Sequence, residues 1–451
     1  MQPSSYVSKP NASGCIAASA WRERGLLAVA LVLASGMWLY SQWVMVPAER
    51  EYYAAKGQPM DVGDLYPRWY GARELLLHHR DPYGAEVSRE IQVAYYGHAL
   101  DTAGADHGRD EQRFAYPVYV VFFLAPTVEL PFPAVQAVVR GTWALLAAAS
   151  VLLWLQALGW RPPTLVKLAL VVLTVSSPPM VQALRLQQLA VLVAFFFAAC
   201  ALLISRSRLF WAGCVLACAT IKPQLALLPA LFFLIWVTGN WKQRRGLALG
   251  FGGTLALLMA AGQAILPGWL PKFMQGLIAY GHYVKVSSLL DFYLTPRIAK
   301  PVAITLLGIL LIFCFRWREA PVEQPRFFLR FAVVLAVMVV ALPLLPPFNQ
   351  VFLLPGILAS LFMWNTLWHR GHLVRAACWA GGAFTLSSWF VAGALAATCA
   401  AGPVVTLQGV WAWPFLLSFG VPPIVTGLLL VLLQNYAAQA KVPVPTRAET
   451  A

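Results

Sequence analysis

Charge is what this sequence has least of. Only 11% of its 451 residues are Asp, Glu, Lys or Arg, while 60% are hydrophobic; soluble proteins carry about a quarter charged. An ordinary cytosolic enzyme is excluded on that ground. Acidic residues are scarcest, 18 against 33 basic ones, an excess that nucleic-acid binding or cytoplasmic membrane loops would explain. No basic stripe with interleaved aromatics is present. The positive residues stand in twos to fours between apolar stretches, as at Arg206 and Arg208 or Lys242, Arg244 and Arg245, so no nucleic-acid partner is expected. Cysteine is also sparse, and six of the seven lie in apolar segments or at their ends, where Cys acts as a small hydrophobe. No spacing suggests a disulfide or a metal site. His78 and His79 are adjacent and would point to different sides of a helix; no metal and no cofactor are expected. No internal repeat is visible, which disfavours transporters built from duplicated halves.

What the chain has in abundance is apolar segments of near-spanning length. A bilayer needs about 20 residues of helix, and twelve candidates occur: 26–46, 133–158, 164–178, 184–204, 209–221, 224–237, 247–266, 298–315, 327–345, 351–368, 374–397 and 411–433. The expected fold is an all-α polytopic membrane bundle of about twelve transmembrane helices. One domain spans 26–435, with cytoplasmic tails at 1–25, expected to be disordered, and 436–451. Placing both termini inside puts 18 Lys/Arg and 4 acidic residues on the cytoplasmic face, as the positive-inside rule requires. Two long loops, 47–132 and 267–297, then face the exterior, and fourteen of the eighteen acidic residues gather outside. Leu65 to His79 and Ala115 to Leu130 are apolar and aromatic enough to lie as interfacial helices, where Trp69, Tyr70 and Tyr116 suit the headgroup depth.

Ion-driven carriers keep carboxylates within their spans, and the central portions of all twelve segments contain no Asp or Glu. Ionisable groups cluster instead at the outer ends: Arg140, Arg185 and Lys222, then His282, Lys285, Arg297 and Lys300. A basic rim beside an acidic loop suits an anionic, phosphate-bearing lipid. Asp64 opens the stretch Asp64-Leu-Tyr-Pro-Arg-Trp69-Tyr70. It reads as a helix N-cap and equally as a carboxylate positioned to deprotonate a sugar hydroxyl. Asp81-Pro82-Tyr83-Gly84 reads as a turn. Lys222-Pro223 breaks a long apolar stretch, either as a simple hairpin or to aim Lys222 at a phosphate. Arg185, with Gln187 and Gln188, adds donors on the same face, unless the Arg merely snorkels. Asp291 pairs with Arg297, orients an acceptor or is solvated; spacing does not choose.

Several of these stretches, in order, resemble glycosyltransferase family 87, the polyprenol-phosphate-mannose-dependent α-mannosyltransferases of the GT-C superfamily. They are Asp64 to Arg73 with Asp81-Pro82-Tyr83, then Tyr116-Pro117 to Pro126, then Ser177-Pro178 with Gln187-Gln188, and Ala212-Gly213 through Lys222-Pro223. The resemblance implies a GT-C-like bundle in the plasma (inner) membrane, working on its exterior face. It implies inverting transfer of a hexose, typically mannose, from a polyprenyl-phosphate-linked donor to a glycolipid or glycan acceptor, with Asp64 as catalytic base. Lys222, Arg185 and Arg297 are assigned to the donor phosphate, and Trp69, Tyr70, Tyr116, His282, Asp291, Asn349 and Gln350 to the substrate cleft. Many members carry Trp-x-His-His before a late helix, where this chain reads Pro347-Phe-Asn349-Gln350; these amides hydrogen-bond sugar hydroxyls but do not ionise. Two other readings are a lipid or glycan flippase or carrier, and an inactive scaffold of the same descent.

Overall fold

The computed structural model describes residues 12–55, 57, 62–101, 104–107, 109–283, 287–401 and 409–439. Every regular element among them is helical. Helix α1 (Ala12–Tyr40) starts within the stretch read as a tail, and its opening is rich in Ala, the strongest helix former. A π-helical turn at Ser41–Met45 leads into α2 (Val46–Ala55). The first helix therefore runs on past Pro47, where the outer loop was expected to begin; a widened turn accommodates the missing proline N–H. Residues 1–11, 440–451, Asp61 and Lys285 lie outside the described residues.

The first long loop folds as α3 (Tyr66–His78), α4 (Ala85–Tyr96) and a run of short turns at 118–127 containing α5 (Val121–Leu124). Both segments read as interfacial helices are thus helical. Next come α6 (Phe132–Ala157), α7 (Thr164–Val175), α8 (Pro178–Arg185), α9 (Ala190–Ser205), α10 (Leu209–Cys218), α11 (Pro223–Thr238) and α12 (Trp241–Ile265). The second loop carries α13 (Trp269–Tyr283) and α14 (Leu289–Tyr293). The remainder is α15 (Pro296–Trp317), α16 (Arg326–Ala341), a 3-10 run at Pro347–Leu353, α17 (Leu354–Phe362), α18 (Trp364–Trp368), α19 (His372–Ala401), α20 (Trp413–Ser418) and α21 (Val421–Gln439).

Among the described residues six helices are long and apolar enough to cross a membrane, or seven if α7 and α8, bent by 56° at their break, form one span. Other expected spans are shorter. A helix such as α9, with 16 residues, rises only about 24 Å against a hydrocarbon core of about 30 Å. Helix α16 is buried at every position from Phe327 to Ala341, so it is the centre of the bundle rather than a lipid-facing span. Around it pack α11, α15, α17, α21 and the 3-10 run. By contrast α12 and α15 present Leu249, Leu257, Ile304 and Ile312 outward, an apolar surface suited to lipid. Helices α10 and α12 approach so closely that a Cβ on Gly213 would lie 2.1 Å from the Leu247 carbonyl, and one on Gly250 2.0 Å from that of Phe210. Small residues at such contacts let membrane helices meet backbone to backbone.

Candidate active site

Three chain breaks meet on one side of the bundle. The first is the turn before α3, where the Tyr66 N–H donates to the Gly63 carbonyl at 3.0 Å. Asp64 belongs to this turn and is half-buried. It does not cap the helix: the N-cap is Leu65, and no side chain caps it. The Asp64 carboxylate turns instead to Gln188, whose Nε2 donates to Oδ2.

Gln188 comes from the second break, the end of α8. There Gln187 adopts a left-handed conformation (φ 50°). The N–H of Gln188 donates to the Ala183 carbonyl at 2.8 Å and that of Gln187 to Leu184 at 3.3 Å. These are the two bonds of a Schellman turn, which usually places glycine where Gln187 stands. The third break is at Lys222, whose backbone (φ −121°, ψ 84°) is outside the helical region that proline disfavours for the residue before it. It lies between the 3-10 turn Ala219–Ile221 and the N-terminus of α11. Its Nζ donates to Gln188 Oε1 at 2.9 Å and sits 5.6 Å above the Phe348 ring. Phe348 belongs to the 3-10 run, which is tied to α8 by a 2.9 Å bond from its N–H to Gln182 Oε1.

The resulting chain is carboxylate, amide, ammonium. Beside it the Arg68 guanidinium donates to the Asp64 carbonyl oxygen at 2.6 Å and lies 4.7 Å from the centre of the Tyr116 ring. Burial pushes the Asp64 carboxyl above the usual carboxylate range, and the Asp110 charge adds to this; Arg68, Lys222 and the Gln188 hydrogen bond oppose it. Asp110 is raised likewise by burial. A carboxylate of raised proton affinity, half-buried beside a cation, is suited to accepting a proton at near-neutral pH.

Of the residues read as site candidates, Asp64, Lys222 and Tyr116 come together here. Arg185 is near but engaged, its Nε donating to Glu49 Oε2 at 3.1 Å. Asn349 and Gln350 are buried in the adjoining 3-10 run; Asn349 Nδ2 donates to the Leu344 carbonyl and Gln350 Nε2 to Ser418 Oγ. Trp69, read as a cleft residue, lies inside the packing of α3. It is 2% exposed and donates to the Thr127 carbonyl at 3.1 Å, so it packs α3 against the turn at 125–127. Tyr70 likewise donates to Glu90 at 2.9 Å. Asp291 closes a capping box with Ser288 at the start of α14, and Arg297 is exposed on the first turn of α15. His282 lies on α13, and its side chain is outside the described residues. Among the described residues no group of three His, Cys, Asp or Glu converges as a metal site would.

Sequence reasoning had not singled out Arg68, Asp110 or Phe348. Arg68 lay four residues after Asp64, one helical turn away; no local signal marks Asp110 or Phe348.

The fold and this site define a multi-pass helical membrane protein with a carboxylate and a cation gathered at breaks between its helices. The profile of glycosyltransferase family 87 matches residues 114–347, more than half of the chain. The protein belongs to glycosyltransferase family 87 and is a membrane glycosyltransferase. No curated protein matches the chain.

Proposed function

We propose that the chain transfers a hexose, mannose in the first instance, from a polyprenyl-phosphate-linked donor to the hydroxyl of a glycolipid or glycan acceptor on the exterior face of the plasma membrane. The observation that carries this reading is the Asp64–Gln188–Lys222 chain, which sets a raised-affinity carboxylate and a single ammonium in one site without joining them. Asp64 takes the acceptor O–H proton as the oxygen attacks the anomeric carbon. The bond from that carbon to the phosphate oxygen breaks on the opposite side, and its electron pair leaves with the lipid phosphate, so the anomeric configuration inverts. Lys222 stabilises the charge that develops on the departing phosphate. Its place at the N-terminus of α11 adds the positive end of a helix dipole. Arg185 would join Lys222 at the lipid phosphate only by exchanging Glu49 for it, whereas Arg297, exposed on α15, and Asn349 and Gln350, whose amide N–H groups are spent on Leu344 and Ser418, are given no role in the step.

The test is transfer of radiolabelled mannose from a short-chain polyprenyl phosphate donor to a membrane-extract acceptor by wild type and a folded Asp64→Asn variant. Transfer by wild type and its loss in the variant, by at least a hundredfold, is expected. Equal transfer by both would remove Asp64 from the mechanism and favour a carrier. No transfer from any polyprenyl-phosphate sugar would favour an inactive scaffold.

A further inference from the structure

We infer that Gln188 is the positioning residue that holds the Asp64 carboxylate and the Lys222 ammonium apart, leaving the first for the acceptor hydroxyl and the second for the donor phosphate. The inference rests on the reading of the site proposed above.

The chemistry of the three groups allows one arrangement. An ammonium only donates and an ionised carboxylate only accepts, so the amide must offer its oxygen to Lys222 and its nitrogen to Asp64, as it does. Its backbone is equally fixed. The Schellman turn sets the direction of Gln188, and the preceding Gln187 side chain is seated against Gly63, where a Cβ would lie 2.4 Å from Gln187 Oε1 and 3.2 Å from the Leu186 carbonyl. The backbone entering Asp64 and the backbone entering Gln188 therefore hold each other in register. Without the amide, opposite charges in so secluded a place would close into a direct ion pair. Such contact lowers a carboxyl pKa by about 1 to 3 units, weakening the base, and it occupies the cation that the phosphate needs.

The other groups facing Asp64 are Arg68 on α3, Asp110 in the loop after α4, Tyr53 on α2 and Tyr95 on α4. None of these stands between Asp64 and Lys222 in the hydrogen-bonded chain.

The experiment is the pH profile of kcat/KM for the full-length protein in lipid nanodiscs, using the mannose donor above, for wild type, Gln188→Leu, Gln188→Glu and the double variant Gln188→Leu/Lys222→Met. In Gln188→Leu the acid limb moves down by about one unit and kcat falls at least tenfold, more than KM for the donor rises. In Gln188→Glu, whose carboxylate accepts from Lys222 but repels Asp64, the limb moves up. In the double variant, with no ammonium left to pair, the limb returns to or above its wild-type position although donor KM rises. An unmoved or upward limb in Gln188→Leu, as loss of one hydrogen bond alone would give, overturns the inference. Should Gln188→Leu fail to fold, the near-isosteric Gln188→Glu decides, and an unmoved or downward limb there overturns it. Asp64→Asn separates the two levels. If it is inactive while Gln188→Leu keeps the wild-type limb, only the role of Gln188 falls; if Asp64→Asn is active, the reading of the site falls.

Discussion

Lys272 Nζ lies 2.7 Å from Asp81 Oδ2, joining the second long loop to the Asp-Pro-Tyr turn of the first. Asp81 serves the turn at the same time, since its Oδ1 accepts from the Tyr83 N–H at 2.9 Å. Trp269, buried at the start of α13, meets the Tyr119 ring edge-on at 5.8 Å, so α13 is held at two points. Both partners of the ion pair are about a third exposed, and such pairs contribute about 0.2 to 1 kcal/mol. Lys272→Ala should therefore leave the melting temperature almost unchanged while raising amide exchange across 269–279. Trp269→Ala, which empties a buried site, should lower the melting temperature and raise exchange much further.

Gly63 has no room for a side chain. A methyl there meets Gln187 Oε1 at 2.4 Å and the Leu186 carbonyl at 3.2 Å. The first contact yields by moving a side-chain end, the second only by moving backbone next to Gln188. Gly63→Ala should therefore reduce transfer by about tenfold or more, as small misplacements of reacting groups do, with a modest change in melting temperature. Gly63→Ala with wild-type kcat would show that the Asp64 turn tolerates displacement.

Much of this was legible in the sequence, for identifiable reasons. The helical class follows from apolar length, and the break at Lys222-Pro223 from the absent proline N–H. Asp64 was legible as a candidate, but its choice between capping and the site was not, because that depends on Gln188, 124 residues away. Arg185 read as a phosphate donor or a snorkelling side chain for the same reason, its partner Glu49 being 136 residues distant. Hydropathy reports composition and not surroundings, so α16, enclosed on all sides, reads like a lipid-facing span. Trp69 shows the converse: an aromatic suited to an interface is buried by elements that only the fold supplies.

Arg244 predicts a loss of stability without a direct loss of chemistry. On α12, it is 8% exposed and donates to the carbonyls of Trp236, Arg318 and Ala320, with its guanidinium 4.2 Å from the Trp236 ring centre. It thereby ties the end of α11 to the turn after α15. Hydrogen bonds from a charged group are worth about 1.5 to 3 kcal/mol each, and Lys lacks the planar fork that reaches several carbonyls. Arg244→Lys should lower the melting temperature in detergent, and Arg244→Ala should lower it more. Donor KM should stay within twofold in the folded fraction, because the contacts lie at the opposite ends of α11 and α12 from Lys222. Equal stability of Arg244→Lys and wild type would show that charge alone holds this junction.

Asp64 should be a site where activity is kept at the cost of stability. Burial raises its proton affinity in the folded protein above that in the unfolded chain. Between the unfolded and folded pKa values the native state holds the extra proton, so stability falls as pH rises through that window and stays lower above it. Asp64→Asn removes this charge while keeping an oxygen able to accept from Gln188. The variant should melt at least as high as wild type at pH 7.5, the difference shrinking as pH falls below the folded pKa of Asp64, and it should transfer no sugar. The acid limb of wild-type kcat/KM should correspondingly lie above the ordinary carboxylate range, because the protonated base cannot accept the acceptor's proton. An Asp64→Asn variant that melts lower than wild type at pH 7.5 would mean that the carboxylate is held by its cations more strongly than burial opposes it, and the acid limb should then fall near or below pH 4.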